Sequence, residues 1–272
     1  MTESLQTPFN RPDCHFNTLP GWTWVGCYGG YYLQADLLAG FEHGFFTRQW
    51  HGRGPESLAG YLSAGVSVHR CRQVHGAVVL PASAAAAEPW PAGDGLVSDA
   101  GGQSLWVCGA DCTPVLLADP VRGAVAACHA GWRGVAAGIL SEAVARLQTA
   151  GSRPADVRVA LGPAVSGERY QVQRDVTEQV AAALAAMPNA DTDQTGALAL
   201  LIHKGAVAAD PLPGHDRLDI RQAALLQLIH LGIPPEQISV CPLCTVAEPE
   251  LFHSWRRDQV KAVQWSGIVA QA

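Results

Sequence analysis

One stretch, residues 110–133, sets a thiol and an imidazole where they can meet. Cys112 stands just ahead of the apolar run Thr113–Ala118, and His129 closes a second apolar run at 123–128. Short apolar runs bounded by turn residues read as buried strands, with Asp119-Pro120-Val121-Arg122-Gly123 as the hairpin between them. A thiol entering one strand and an imidazole leaving the other finish at the same end of a sheet. A third group, His75 in Gln73-Val74-His75-Gly76, precedes another apolar run at 77–80. Two imidazoles and a thiolate make a sensible zinc set, with a fourth tetrahedral position left for water or substrate. Spacing alone leaves a plainer reading open. Free cysteine commonly fills cores, a histidine at a strand end is often a hydrogen-bonded structural residue, and the three groups form neither a CxxC nor an HExxH motif.

The elements that must position these groups alternate along the chain. Trp22-Thr23-Trp24 and Tyr31-Tyr32-Leu33 read as an early hairpin, the alanines at 84–87 as a loop or short helix, and 105–108 as a strand leading to the paired runs. Apolar residues at helical spacing predict helices over 135–147, ending at Gly151, over 172–187, and over 218–231, closed by Gly232 and Pro234. Strands are expected at 157–161 and 238–240. Interleaved strands and helices argue for an α+β, mixed α/β, fold.

The 272 residues carry 48% hydrophobic side chains, enough for a large core. The net charge of −6 comes with no dense basic run, so a nucleic-acid groove is not expected. No apolar run approaches the ~18 residues that span a bilayer, and the N-terminus lacks the basic and apolar regions of a signal peptide. The expectation is a soluble cytoplasmic protein with reduced thiols, with no membrane or nucleic-acid partner. Cys241-Pro242-Leu243-Cys244 has CxxC spacing but no second pair to complete a zinc ribbon, and packing is the expected role. Cys128, adjacent to His129 in a strand, should point to the opposite face and belong to the core.

Five motifs taken in order resemble a known family. Gln73-Val74-His75-Gly76, Ala110-Asp111-Cys112-Thr113-Pro114-Val115, His129-Ala130-Gly131-Trp132-Arg133-Gly134, Leu161-Gly162-Pro163-Ala164, and Cys244-Thr245 followed by Phe252-His253-Ser254-Trp255-Arg256-Arg257-Asp258 are similar to the successive motifs of the YfiH-like family. That family has been labelled both polyphenol oxidoreductase (laccase) and purine nucleoside phosphorylase. The resemblance runs from about Phe41 to the C-terminus. It implies layered β-sheets flanked by helices in one catalytic domain over 18–272 and zinc ligands at His75, Cys112 and His129, while the polar, proline-containing residues 1–17 read as a flexible tail. Two segments depart from the pattern. Arg48 carries over, but Gln49-Trp50-His51-Gly52 stands where the family has a Gly-Gly-Val-Ser loop. Ala262-Val263-Gln264-Trp265 stands where it has Gly-Arg.

The expected chemistry follows from both readings. Phosphorolysis of a purine nucleoside needs cations for phosphate, and Arg133 and Arg48 are the first candidates. Arg133 lies just before a predicted helix, whose free N–H groups also favour an anion. A zinc-bound water could also displace ammonia from adenosine, so one site could run phosphorolysis of adenosine or inosine, possible also for methylthioadenosine, and deamination. Asp111 is read as a general acid/base or, with slight preference, as the partner of a metal-bound histidine. Gln73, Cys244 and Arg256 are expected to line the substrate, although Arg256-Arg257-Asp258 also reads as a solvated charge cluster. A three-copper laccase cluster is disfavoured, because none of the 10 histidines forms a His-x-His pair. A single copper on the triad stays available. Two other classes remain: a hydrolase using Cys112 as nucleophile and His129 as base, and a zinc-binding scaffold without turnover. Oligomeric state is left open.

Overall fold

A computed structural model describes residues 11–13, 18–187, 190 and 192–271. Its middle layer is a six-stranded sheet in the order Ile238–Val240, Arg158–Leu161, Thr113–Ala118, Val125–Ala130, Gly95–Val97, Val79–Pro81. Every residue of its two central strands is buried, which is why both read as unbroken apolar runs. Their side chains divide by parity. Val115, Leu117, Ala126, Cys128 and Ala130 pack with helix residues such as Leu140, Val144 and Ala224. Leu116, Ala118, Val125 and Ala127 pack with Trp22, Phe45 and Leu105 of a second sheet.

That second sheet has seven strands, in the order Arg11–Pro12, Trp22–Cys27, Gly30–Ala35, His43–Phe46, Gln264–Val269, Gln103–Gly109, Ser67–Arg70. A three-stranded sheet, Gln171–Gln173, His215–Leu218 and Val207–Ala209, lies apart from both. The result is the mixed α/β fold of layered sheets with helices outside. No helix among the described residues is long and apolar enough to cross a membrane. Of the 1–17 segment expected as a tail, residues 1–10 and 14–17 lie outside the described residues. Arg11–Pro12 pairs with Trp22–Cys27, and Asp13 N–H donates to the Trp24 carbonyl at 2.9 Å.

Several helices differ from their expected bounds. The 135–147 helix is two helices, Trp132–Ala136 and Ile139–Thr149, because Gly138 between them takes a left-handed φ of 84°. In the 172–187 segment the first residues belong to the Gln171–Gln173 strand, and the helix is Arg174–Ala185. Leu218 likewise ends a strand. The following helix, Ile220–His230, starts at Asp219, whose carboxylate accepts from Arg221 and Gln222 N–H. The strand expected at 77–80 is displaced to Val79–Pro81, and helices Pro55–Leu62 and Gln194–His203 were not anticipated.

Candidate metal and substrate site

The antiparallel register of Thr113–Ala118 with Val125–Ala130 pairs His129 with Pro114 and Ala130 with Thr113. Cys112, one residue before that strand, therefore arrives beside His129. Cys128 is fully buried on the opposite, helix-packed face, as alternation requires. His75 comes from the loop before Val79–Pro81 and has a left-handed φ of 60°. What holds it there is Asp94. This fully buried carboxylate accepts the backbone N–H of Val74 at 3.1 Å, His75 at 2.9 Å and Gly76 at 2.7 Å, and it takes His129 Nδ1 at 2.9 Å. The Asp94 carbonyl also accepts His129 N–H at 2.7 Å. One residue thus orients two imidazoles.

Ligand atoms of His75, Cys112 and His129 lie within 4.8 Å of one another, and among the described residues this is the one group of three or more such donors close enough to share an ion. The two imidazole rings stand nearly perpendicular, 4.8 Å between centroids. Burial pushes the Cys112 thiol up, but hydrogen bonds from His129 and His75 outweigh it and hold the thiol down at about 7. Burial disfavours charge on His129, yet its bonds to Asp94 and Cys112 raise it to about 9. Asp94 is held below its ordinary value despite burial, chiefly by His129 and the N–H groups of Gly76 and Val74. Asp94 occupies His129 Nδ1 and leaves the other ring nitrogen for Cys112 or an ion. A thiolate with two oriented imidazoles suits zinc or copper, whose bonds to such donors are ~2.0–2.3 Å.

The triad lies at one wall of a cleft of about 570 Å³. Trp132, Tyr170 and Trp255 present aromatic rings to it, and Arg133, Arg256 and Lys261 supply cations. Arg133 sits inside the first turn of Trp132–Ala136, one residue into the helix rather than before it, exposed and stacked 4.4 Å over the Trp132 ring. Arg256 lies 5.0 Å over Tyr170 and donates to the Gln171 carbonyl at 2.9 Å. Ala262 and Val263, in place of the family's Gly-Arg, make that side of the cleft apolar.

Other expected site residues are placed differently. Asp111 lines the cleft but does not touch a triad histidine. Its φ of 98° turns it toward Thr245, whose hydroxyl donates at 2.6 Å, and toward Arg256 N–H at 2.7 Å. The histidine partner is Asp94, which stands between Gly93 and Gly95 in no recognisable ligand motif and was not singled out from the sequence. Gln73 is in the cleft wall, but its amide is bonded in both directions to the backbone of Cys108, at 2.7 and 2.8 Å. Cys244 is buried and is not among the residues lining the cleft, and its sulfur accepts Ser166 N–H at 3.3 Å. Cys241 is fully buried, and burial pushes its thiol up to about 12, so the CxxC pair packs rather than binds. Arg257 is spent on the carbonyls of Thr245 and Phe252 and on Asp258. Arg48 is not with the triad at all. It lines a neighbouring cleft with His51 and His253.

The family model described as multi-copper polyphenol oxidoreductase laccase matches residues 56–271. A protein named purine nucleoside phosphorylase from Synechocystis is 42% identical over 92% of this chain and 97% of its own length. Another so named, YlmD of Geobacillus stearothermophilus, is 34% identical over 70% of this chain and 66% of its own. Among solved structures, YfiH of Bacillus licheniformis superposes with a TM-score of 0.74 at 28% identity, covering 88% of this chain and 96% of that one. The YlmD structure gives 0.74 at 27% identity, covering 97% and 100%.

Proposed function

This chain belongs to the multi-copper polyphenol oxidoreductase laccase family, the YfiH family, and on that premise we propose that it is a zinc-dependent purine nucleoside phosphorylase acting on adenosine and inosine, and on methylthioadenosine, with a slower adenosine deaminase activity. The observation that carries the reading is one cleft in which an N/S donor triad, three aromatic rings and three cations converge. Its volume of about 570 Å³ falls in the range of small-molecule sites. Trp255, half exposed, offers a ring face for a purine, while the rings of Trp132 and Tyr170 carry the Arg133 and Arg256 guanidiniums at the cleft wall. Arg133, Arg256 and Lys261 are placed to receive phosphate and steer it toward the sugar carbon. Asp111 acts as a positioning residue, holding the Arg256 backbone and Thr245 around the cleft. His75, Cys112 and His129 would hold the metal, and zinc there would supply the Lewis acidity that deamination needs.

The depressed Cys112 and raised His129 also describe a thiolate–imidazolium pair, the resting state of a cysteine hydrolase. Copper on the same triad would serve a polyphenol oxidoreductase, in keeping with the family's description. Adenosine given to the zinc-loaded protein separates these readings. The phosphorylase releases adenine only with phosphate present, forms some inosine without it, and loses both activities on chelation. Adenine release independent of phosphate, or turnover that survives complete metal removal, would reject the proposal.

A further inference from the structure

The cleft beside the triad is lined by Arg48, His51, His253, Ser254, Arg257 and Asp258, encloses about 640 Å³, and shares Val260 and Ala262 with the triad cleft. Its charge is unbalanced. Asp258, the carboxylate in the lining, is gripped by Arg257 through Nε and Nη2, both at 2.7 Å. Arg48 gives Nη1 to the Pro249 carbonyl at 2.5 Å and forms no ion pair among the described residues. His253 is only 7% exposed, and its Nε2 is buried with no hydrogen-bond partner among the described residues. Its ring meets that of His51 edge-on, 5.0 Å between centroids.

A buried polar nitrogen without a partner calls for an explanation. The neighbours of His253 deepen the question. Burial first, then Arg48 and His51, hold its imidazole below the ordinary value against the opposing pull of Asp258, so cations crowd it from more than one side. A ligand that relieves both conditions is acceptor-only, anionic, and has enough oxygens to meet a guanidinium fork and two imidazoles together.

We propose that this second cleft is an anion-binding site for a phosphoryl group, with Arg48, His51 and His253 as its donors. The shared Val260 and Ala262 set the two clefts side by side, so the group is either inorganic phosphate or the phosphate of a nucleotide whose nucleoside occupies the triad cleft. The site stands on its own lining and does not depend on the phosphorylase reading.

The test is histidine-selective NMR of the zinc-loaded Arg133→Gln protein, in which anion binding beside the triad is weakened, titrated with inorganic phosphate at fixed pH and ionic strength. Saturable shifts of the His51 and His253 resonances are expected, with His75 and His129 unmoved. Adding Arg48→Gln should weaken the response about tenfold, the loss of one charge-assisted contact, and Arg48→Lys should restore part of it. If Arg48→Gln disturbs the fold, His51→Gln serves in its place and should weaken the His253 response. Absence of a saturable His253 shift, or a response that these substitutions leave unchanged, overturns the site. A second titration with adenosine 5′-monophosphate separates the sources. Tighter binding with concurrent shifts at His75 and His129 assigns the phosphoryl group to a nucleotide, and binding no tighter than phosphate assigns it to the free anion. Failure of phosphate-dependent turnover with these shifts intact would strike the proposed function and leave this site standing.

Discussion

Replacing Asp94 by asparagine should loosen the metal without emptying the cleft. The carboxylate serves four donors, with Oδ1 facing His75 N–H and His129 Nδ1 and Oδ2 facing Val74 and Gly76 N–H. An amide keeps one acceptor and turns an NH₂ group toward two donors, whichever way it is flipped. Hydrogen bonds to charged groups contribute ~1.5–3 kcal/mol each. Because the losses overlap, about 3 kcal/mol of folding stability should go, read as a lower urea midpoint for the metal-free protein. The same bonds aim two of the three ligands. Loss of such outer partners typically weakens metal binding by ~10–100-fold, and competition for zinc against a chromophoric chelator measures this directly. Zinc affinity within about twofold of the parent protein, alongside a lowered urea midpoint, would show that Asp94 supports the fold alone and would refute the argument.

Gly131→Ala should act on the same centre from the other side. A Cβ there would meet Cys112 Sγ at 2.8 Å while the backbone φ of −76° accepts alanine, so zinc affinity should fall about tenfold or more, and unchanged chelator competition would contradict this. Arg133→Ala should depress phosphorolysis by a decade or more, as loss of a charge-assisted contact of ~1.5–3 kcal/mol would, and largely spare deamination. Equal loss of both in the kinetic assay would assign Arg133 to the metal site or the fold. The buried His43 bridges Phe41 carbonyl and Ala35 N–H, and burial lowers it from 6.5 to about 4. The unfolded chain takes its proton first as pH falls, so this contribution is complete above pH 6.5 and is lost toward pH 4. It amounts to about 3 kcal/mol. Urea titrations of parent and His43→Gln proteins across that window should show a shallower decline in the variant, and parallel declines would refute the assignment.

The hairpin at the heart of the site was legible because burial on both faces leaves Thr113–Ala118 and Val125–Ala130 as unbroken apolar runs, which place Cys112 and His129 together. His75 was legible as a third candidate ahead of an apolar run, and the resemblance then implied it as a ligand, but what fixes its loop was not legible, since no spacing links the buried carboxylate of Asp94 to residues on two other segments. The expected bond from Asp111 to a triad histidine does not form, because its positive φ turns the carboxylate toward Thr245 and Arg256, although it lines the cleft beside Cys112. Arg48 matched a family motif in the sequence but stands in the neighbouring cleft, apart from the triad. The split at Gly138 was missed because the apolar spacing stays helical on both sides of a left-handed residue. Gln194–His203 has glycine and threonine in its first turn, which hides it from propensity. Its cap, Asp193 accepting Gly196 N–H at 2.9 Å, was the overlooked signal.

The most direct test of the central claim is phosphorus NMR of the zinc-loaded protein incubated with inosine and phosphate. A growing ribose 1-phosphate resonance matched by hypoxanthine is expected, and it should be absent from the Cys112→Ala protein. Hypoxanthine without that resonance, or no base release at any phosphate concentration, would contradict it.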